Sequence, residues 1–124
     1  MEGYSVKILE ASKELTAKQK VQLKDTTDAI KLDDVTKSGA IILDPDFYAV
    51  LQIHNENSDN KDYYNYLVVC KDGEKYVTGS ESFWSSFEDI MSDMFGSEEE
   101  FHIKVYKLPS KKYNGKEFIT CSIV

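Results

Sequence analysis

One stretch of the chain, Ser82–Phe95, carries a clear helical repeat that limits the folds open to it. Its apolar residues follow one another at spacings of 1, 3, 3, 1, 3 and 1, close to the helical period of ~3.6 residues. They are Phe83, Trp84, Phe87, Ile90, Met91, Met94 and Phe95. Ser80 or Ser82 can cap the first turn, and Gly96 is suited to ending the last. The stripe therefore predicts one helix that packs into a core.

Segments with the pattern of strands flank this helix on both sides. Asp72-Gly73 is a strong hairpin signal, the polar run 55–62 is typical of a loop, and Asp44-Pro45-Asp46 is typical of a turn. The predicted strands are Ala40–Leu43, Phe47–His54, Tyr64–Lys71 and Glu74–Gly79 before the helix, and Phe101–Leu108 and Lys116–Val124 after it.

When the short segment Ala40–Leu43 is not counted, residues 38–124 have the predicted order β-β-β-α-β-β. This order is typical of an OB-fold-like five-stranded barrel, in which a helix follows the third strand. An α+β sheet with one packed helix would give the same order. Either way, we expect a mainly β chain that forms a single domain over residues 1–124.

Residues 1–37 add N-terminal elements whose structure the pattern leaves open. Tyr4–Leu9 alternates like a strand, and Ser12–Lys20 can be helical. Val21–Lys24 and Ala29–Leu32 also alternate like strands. We therefore treat this region as an extension of the 38–124 core.

The motifs of several protein classes are missing from the sequence. No apolar run reaches the ~18–20 residues of a membrane helix, and no signal peptide is evident, so we expect a cytoplasmic protein without membrane contact. Cys70 and Cys121 lie in apolar runs and are predicted to be buried. No zinc-ligand spacing, nucleophile motif or phosphate loop occurs. We expect no enzyme activity, no catalytic residue, no metal and no cofactor.

Charge is distributed unevenly along the chain. The net charge is −7, and all 15 basic residues are lysines, which speaks against base-specific readout by guanidinium groups. Residues 38–100 hold three lysines and fourteen acidic residues, a net charge of −11. Residues 101–124 hold five lysines and one acidic residue, a net charge of +4. The last predicted hairpin is thus a basic module on an acidic body.

Lysines and aromatic residues alternate in that hairpin, as in proteins that bind single strands without reading sequence. Lysines can follow the phosphates while rings stack on bases at ~1–3 kcal/mol each. The candidate phosphate contacts are Lys104, Lys107, Lys111, Lys112 and Lys116. The candidate stacking residues are Tyr106 and Tyr113, together with Tyr64, Tyr66 and Tyr76 from the earlier strands. Phe118 lies in the same hairpin. The alternative is that these tyrosines are core-edge residues.

Three phrases of the chain resemble small proteins of bacteriophages and mobile elements from low-GC Gram-positive bacteria. They are LKDTTDAIKLD at 23–33, YVTGSESF at 76–83 and PSKKYNGKEFITC at 109–121. The resemblance is to phage single-stranded-DNA-binding proteins, and it implies a role in replication or recombination. The apolar end Cys121-Ser122-Ile123-Val124 departs from the acidic tail of many such proteins.

We therefore expect a sequence-tolerant, non-catalytic single-stranded-DNA-binding protein. Its acidic face could also contact replication proteins or a basic host protein. The alternative is an acidic, DNA-mimic-like phage inhibitor of a host nucleic-acid enzyme or anti-phage nuclease, because fourteen carboxylates resemble a phosphate backbone.

Overall fold

A computed structural model describes residues 3–94, 96–110 and 116–124. Eight strands and three helices occur among these residues, and a 3-10 turn at Thr36–Ser38 follows the second helix. The strands are β1 (Tyr4–Ala11), β2 (Ile30–Lys31), β3 (Ile41–Leu43), β4 (Pro45–Asn55), β5 (Asp62–Cys70), β6 (Lys75–Thr78), β7 (Ile103–Pro109) and β8 (Glu117–Ile123). The helices are α1 (Ala17–Lys24), α2 (Leu32–Val35) and α3 (Glu81–Met94).

The strands form two sheets. The large sheet has the order β1-β4-β5-β6-β2, in which only β2 pairs in parallel, and the small sheet has the order β3-β7-β8. Within the described ranges neither sheet closes on itself, so the expected five-stranded barrel is not formed and the fold is a β-rich α+β arrangement. The physical reason is that β1 pairs with the free edge of β4, while β7 pairs with β3 and β8 pairs with β7. The last two strands therefore do not join the large sheet.

The apolar run of β4 is explained by its central position in the large sheet. Phe47, Ala49 and Leu51 lie on the face covered by α1, where Leu23 packs against them. Tyr48 and Val50 lie on the opposite face, which packs against α3. Because both faces of β4 are covered, the strand is apolar at successive positions rather than at alternate ones.

Helix α3 packs against both sheets and confirms the predicted stripe. Phe83, Trp84 and Phe87 are buried, and Trp84 stacks on Tyr66 of β5 with ring centroids 4.9 Å apart. On the other side, the Ser82 hydroxyl donates to the Ile119 carbonyl of β8 at 3.0 Å. The helix thus joins the two sheets.

Three details of the sequence-based expectation are corrected. Val21–Lys24 is the second half of α1 and not a strand, because Thr16 and Gln19 form a capping box that starts the helix at Ala17. The expected strand Ala29–Leu32 is reduced to two residues. Pro45 begins β4 instead of occupying a turn, with a register shift before Phe47.

The helix count is corrected as well, since α1 and α2 add to the one predicted helix, α3. The longest of the described helices is α3, at 14 residues. No helix in this part of the chain combines the length and the apolar character needed to cross a bilayer.

Candidate nucleic-acid interface

The small sheet has one buried and one exposed face. Ile103 and Val105 of β7 and Ile119 and Cys121 of β8 are buried against α3 and the large sheet. The alternate residues lie on the other face, because side chains opposite each other in an antiparallel pair share a face. At the β8 edge, the Thr120 hydroxyl also lies 3.4 Å from the Ser86 hydroxyl of α3. This outer face of the small sheet consists of Ile42, Lys104, Tyr106, Leu108, Phe118, Thr120 and Ser122.

A lysine and a tyrosine form the centre of this outer face. The Lys104 Nζ atom lies 5.6 Å from the centroid of the Tyr106 ring, within the range of a cation–π contact. The Tyr106 and Ser122 hydroxyls are 2.7 Å apart and share a hydrogen bond, which fixes the ring from the neighbouring strand. The ring is half-buried, so part of it is accessible to a ligand.

Apolar side chains extend the outer face on both sides of Tyr106. Leu108 and Phe118 are directly opposite each other and are 40% and 37% exposed. Ile42 of β3, opposite Lys104, is 56% exposed. Leu108 and Phe118 thus form an adjoining pair of exposed apolar side chains, and contiguous exposed apolar patches are where interaction sites occur.

The charge of the outer face is positive. None of its seven residues is acidic, and Lys104 is exposed. Lys116, also exposed, directly precedes β8, whereas Lys107 lies opposite Ile119 on the other side of the sheet. Lys111, Lys112 and Tyr113 are outside the described residues, in the segment that joins β7 to β8. The structure therefore brings Lys104 and Tyr106 together, places Lys116 at the other end of the hairpin, and puts Lys107 on the opposite face.

The other three candidate tyrosines belong to the large sheet. Tyr64 is 45% exposed, whereas Tyr66 is stacked under Trp84, and burial raises its pKa. Tyr76 packs against the core of the small sheet and α3, and burial raises its pKa too. Of these three rings only Tyr64 is largely open to solvent, and it lies on a different sheet from Tyr106.

The sequence pattern places Phe118 in the basic hairpin but marks neither it nor Ile42 and Leu108 as site residues. The signal for Leu108 and Phe118 is the alternation with Tyr106 and Thr120, which becomes readable once the β7–β8 register is known. Ile42 joins the surface through pairing of β3 with β7, across some sixty residues of chain. No sequence pattern near Ile42 predicts this long-range strand pairing.

Metal-ligand groups and the two cysteines complete the description of the site chemistry. No group of three histidine, cysteine, aspartate or glutamate side chains there is arranged to hold a metal ion. Cys70 and Cys121 are free and buried, as predicted, and burial raises the pKa of each thiol to about 11. Comparisons of the chain with protein-family models, with curated proteins and with solved structures found no match.

Proposed function

We propose that the protein binds single-stranded DNA without sequence preference through the outer face of the small sheet, in phage or mobile-element replication or recombination. The observation that supports this most is the pairing of Lys104 with Tyr106 beside the exposed Phe118, on a face without an acidic residue. No catalytic step is part of the proposal.

The chemistry of the outer face suits a flexible strand. Tyr106 and Phe118 offer two rings on which bases can stack, at ~1–3 kcal/mol each. Lys104 and Lys116 can neutralise phosphates at the sides of those rings. Lysine contributes charge without the planar fork that reads guanine edges, which is consistent with sequence tolerance.

A closed barrel is not required for this mode of binding. The ligand face of an OB-fold is a solvent-facing sheet bordered by loops, and an open three-stranded sheet can present rings and lysines in the same way. In sequence, the lysine-rich segment 110–116 connects β7 to β8, the two strands that contribute most of the outer face.

The test is fluorescence anisotropy of labelled oligothymidine over a salt series at low ionic strength. We expect binding whose affinity falls with salt, with a log–log slope of ~0.7 per phosphate neutralised. Phe118→Ala and Lys104→Ala should each weaken binding, and Lys104→Ala should also reduce the slope. Lys7→Ala, at an exposed lysine of β1, is the matched control.

Two results would contradict the proposal. One is an absence of binding to oligothymidine at low salt. The other is binding that Lys104→Ala and Phe118→Ala leave unchanged while both variants unfold at the wild-type temperature. Stronger binding to a duplex than to the single strand would argue against stacking on Tyr106 and Phe118.

A second candidate function is inhibition of a nucleic-acid enzyme, and an acidic cleft favours it. Glu98, Glu99 and Glu100 line a cleft of about 440 Å³ together with Asp44, where Lys71 is paired with Asp44 at 3.6 Å. By contrast, Glu56 of the 55–62 loop is already engaged by His54 and Lys61. The cleft is therefore the better mimic of a phosphate backbone.

The inhibitor function is tested by measuring nuclease activity. Wild-type protein should slow cleavage of DNA by a purified host nuclease, and added salt should relieve the inhibition. Replacing Glu98, Glu99 and Glu100 by glutamine should abolish the effect, whereas Asp59→Asn in the loop should not. Oligonucleotide binding is not expected under this alternative, so the two functions can be separated.

A further inference from the structure

A groove runs between the large sheet and α3, on the side of the molecule formed by β1, β4 and β5. It consists of two adjoining cavities of about 300 and 260 Å³ that share Glu10, Val50 and Glu88. The polar and aromatic residues that line it, and that could contact a ligand, are Glu10, Tyr48, Tyr64, Tyr66, Trp84 and Glu88. We refer to this space as the Glu10–Glu88 groove.

The two carboxylates of the groove have no cationic partner among residues 3–94, 96–110 and 116–124. Neither Glu10 nor Glu88 takes part in any of the ion pairs among the described residues. Partial burial and the nearby Glu10 raise the pKa of Glu88, and burial, followed by Glu88 and Glu10, raises the pKa of Tyr48. A cation placed here would relieve this repulsion.

Two polar atoms in the aromatic wall also lack a hydrogen-bond partner in the part of the chain that the structure describes. Tyr66 is 9% exposed and Trp84 is 5% exposed, yet neither the Tyr66 hydroxyl nor the Trp84 indole N–H forms a hydrogen bond with the described part of the chain. Every fully sealed side-chain nitrogen or oxygen there does have a partner. These two atoms are therefore not fully sealed, and both side chains line the groove.

We propose that the Glu10–Glu88 groove binds an arginine side chain presented by an extended peptide segment of a partner protein. A guanidinium can pair with both carboxylates, and its flat surface can stack on the aromatic wall. The Tyr66 hydroxyl and the Trp84 N–H can donate to peptide carbonyls beside the arginine. The protein has no arginine of its own, so the guanidinium must come from another protein.

Charge complementarity favours a peptide over a nucleic acid in this groove. Two carboxylates would repel phosphates, whereas they attract a basic segment. The groove opens on the large sheet, while the proposed DNA surface is the outer face of the small sheet. The proposal thus stands independently of the DNA-binding function.

The single tryptophan of the chain makes the test direct. Trp84 is the only tryptophan, so its fluorescence reports on the groove alone. Titration with the capped peptide acetyl-Gly-Arg-Gly-amide should give a saturable change in emission. The same peptide with neutral citrulline in place of arginine should give none at equal concentration, and the lysine peptide should bind more weakly than the arginine peptide.

Substitutions test whether the Glu10 and Glu88 carboxylates bind the arginine side chain. Glu88→Gln and Glu10→Gln should each weaken the arginine peptide by about five-fold or more, whereas Asp89→Asn on the same helix should leave affinity unchanged. Equal binding of the citrulline peptide, no response to arginine, or wild-type affinity in Glu88→Gln would overturn the proposal. Self-association that Glu88→Gln abolishes would assign the groove to a second copy and would overturn it too.

Discussion

His54, at the end of β4, lies between two carboxylates. Its Nδ1 is 2.7 Å from Asp62 Oδ1 and its Nε2 is 2.6 Å from Glu56 Oε1. When both ring nitrogens carry protons, each donates to a carboxylate, and the imidazolium ties together the two ends of the 55–62 loop. The hydrogen bonds to Asp62 and Glu56 raise the pKa of His54, and the bond from His54 lowers the pKa of Glu56.

We predict a pH-dependent contribution of this contact to stability. For His54 the stabilisation is complete below the ordinary pKa of 6.5 and is lost as the pH rises through the raised value. For Glu56 it is complete above 4.5 and is lost as the pH falls through the lowered value. The difference in melting temperature between wild type and His54→Gln should therefore be largest between these limits.

Thermal melts of both proteins from about pH 4 to about pH 9 measure this difference. The gap should close toward the alkaline end, and Asp62→Asn should reduce it at mid-range. A gap that grows with rising pH would contradict the protonated contact. His102→Gln serves as the control, because His102 is the only other histidine.

The two thiols give a second prediction at the residue scale. Burial holds the pKa of Cys70 and Cys121 at about 11, so little reactive thiolate is present at neutral pH. A thiol reagent such as DTNB should react slowly with the native protein and rapidly with both thiols in urea. Fast labelling of one thiol without denaturant would show that its environment opens locally.

At the scale of elements, the start of α3 depends on one side chain. The Phe83 N–H donates to the Ser80 hydroxyl oxygen at 3.2 Å, so Ser80 provides the cap. We expect Ser80→Ala to lower the free energy of unfolding by about 1 kcal/mol, measured by urea denaturation. Ser85→Ala, at an exposed position inside the helix, should have no cost or a small gain. Equal effects at both positions would exclude capping.

The helices α3 and α1 differ in how well the local sequence pattern predicts them. The stripe predicted the start of α3 to within one residue, because its apolar residues repeat at the helical period. Phe95, the predicted last residue of the stripe, is outside the described residues. For α1 the pattern was misleading, since only Leu23 is buried and an amphipathic stripe is missing. Its start is set by the Thr16–Gln19 capping box, a signal that the alternation of Val21 and Leu23 concealed.

At the scale of the whole molecule, the lysine-rich connection between β7 and β8 offers a test of how the DNA surface is extended. We predict that Lys111→Ala/Lys112→Ala loses oligonucleotide affinity and reduces the salt slope by about 1.4, because two phosphate contacts disappear. Its thermal unfolding should match the wild type. The pair Lys18→Ala/Lys20→Ala on α1, with the same loss of charge, is the control.

An unchanged slope in Lys111→Ala/Lys112→Ala would place the phosphate contacts elsewhere. If Lys104→Ala still weakened binding, the site would be confined to the sheet itself. Loss of binding in the α1 control as well would show that overall charge, and not the outer face of the small sheet, controls affinity.

The sequence by itself determined the strands after residue 40, the hairpin at Asp72-Gly73 and α3, because these depend on local periodicity and turn chemistry. It also determined that Cys70 and Cys121 are buried, since each lies in an apolar run. Only the tertiary structure decided how the strands divide between two sheets. The pairing of β1 with β4 and of β3 with β7 joins residues far apart in the chain, and no local pattern encodes that choice.

Tertiary structure, and not local sequence, also decides which of the candidate binding residues are exposed on the same face. Tyr64 and Tyr66 share a strand face, but only Tyr66 is covered by Trp84, because α3 crosses the sheet at that point. Lys104 and Lys107 are close in sequence but lie on opposite faces of β7. The composition shows that the chain contains lysines and aromatic residues. The sheet register and the position of α3 decide which of them are exposed next to one another.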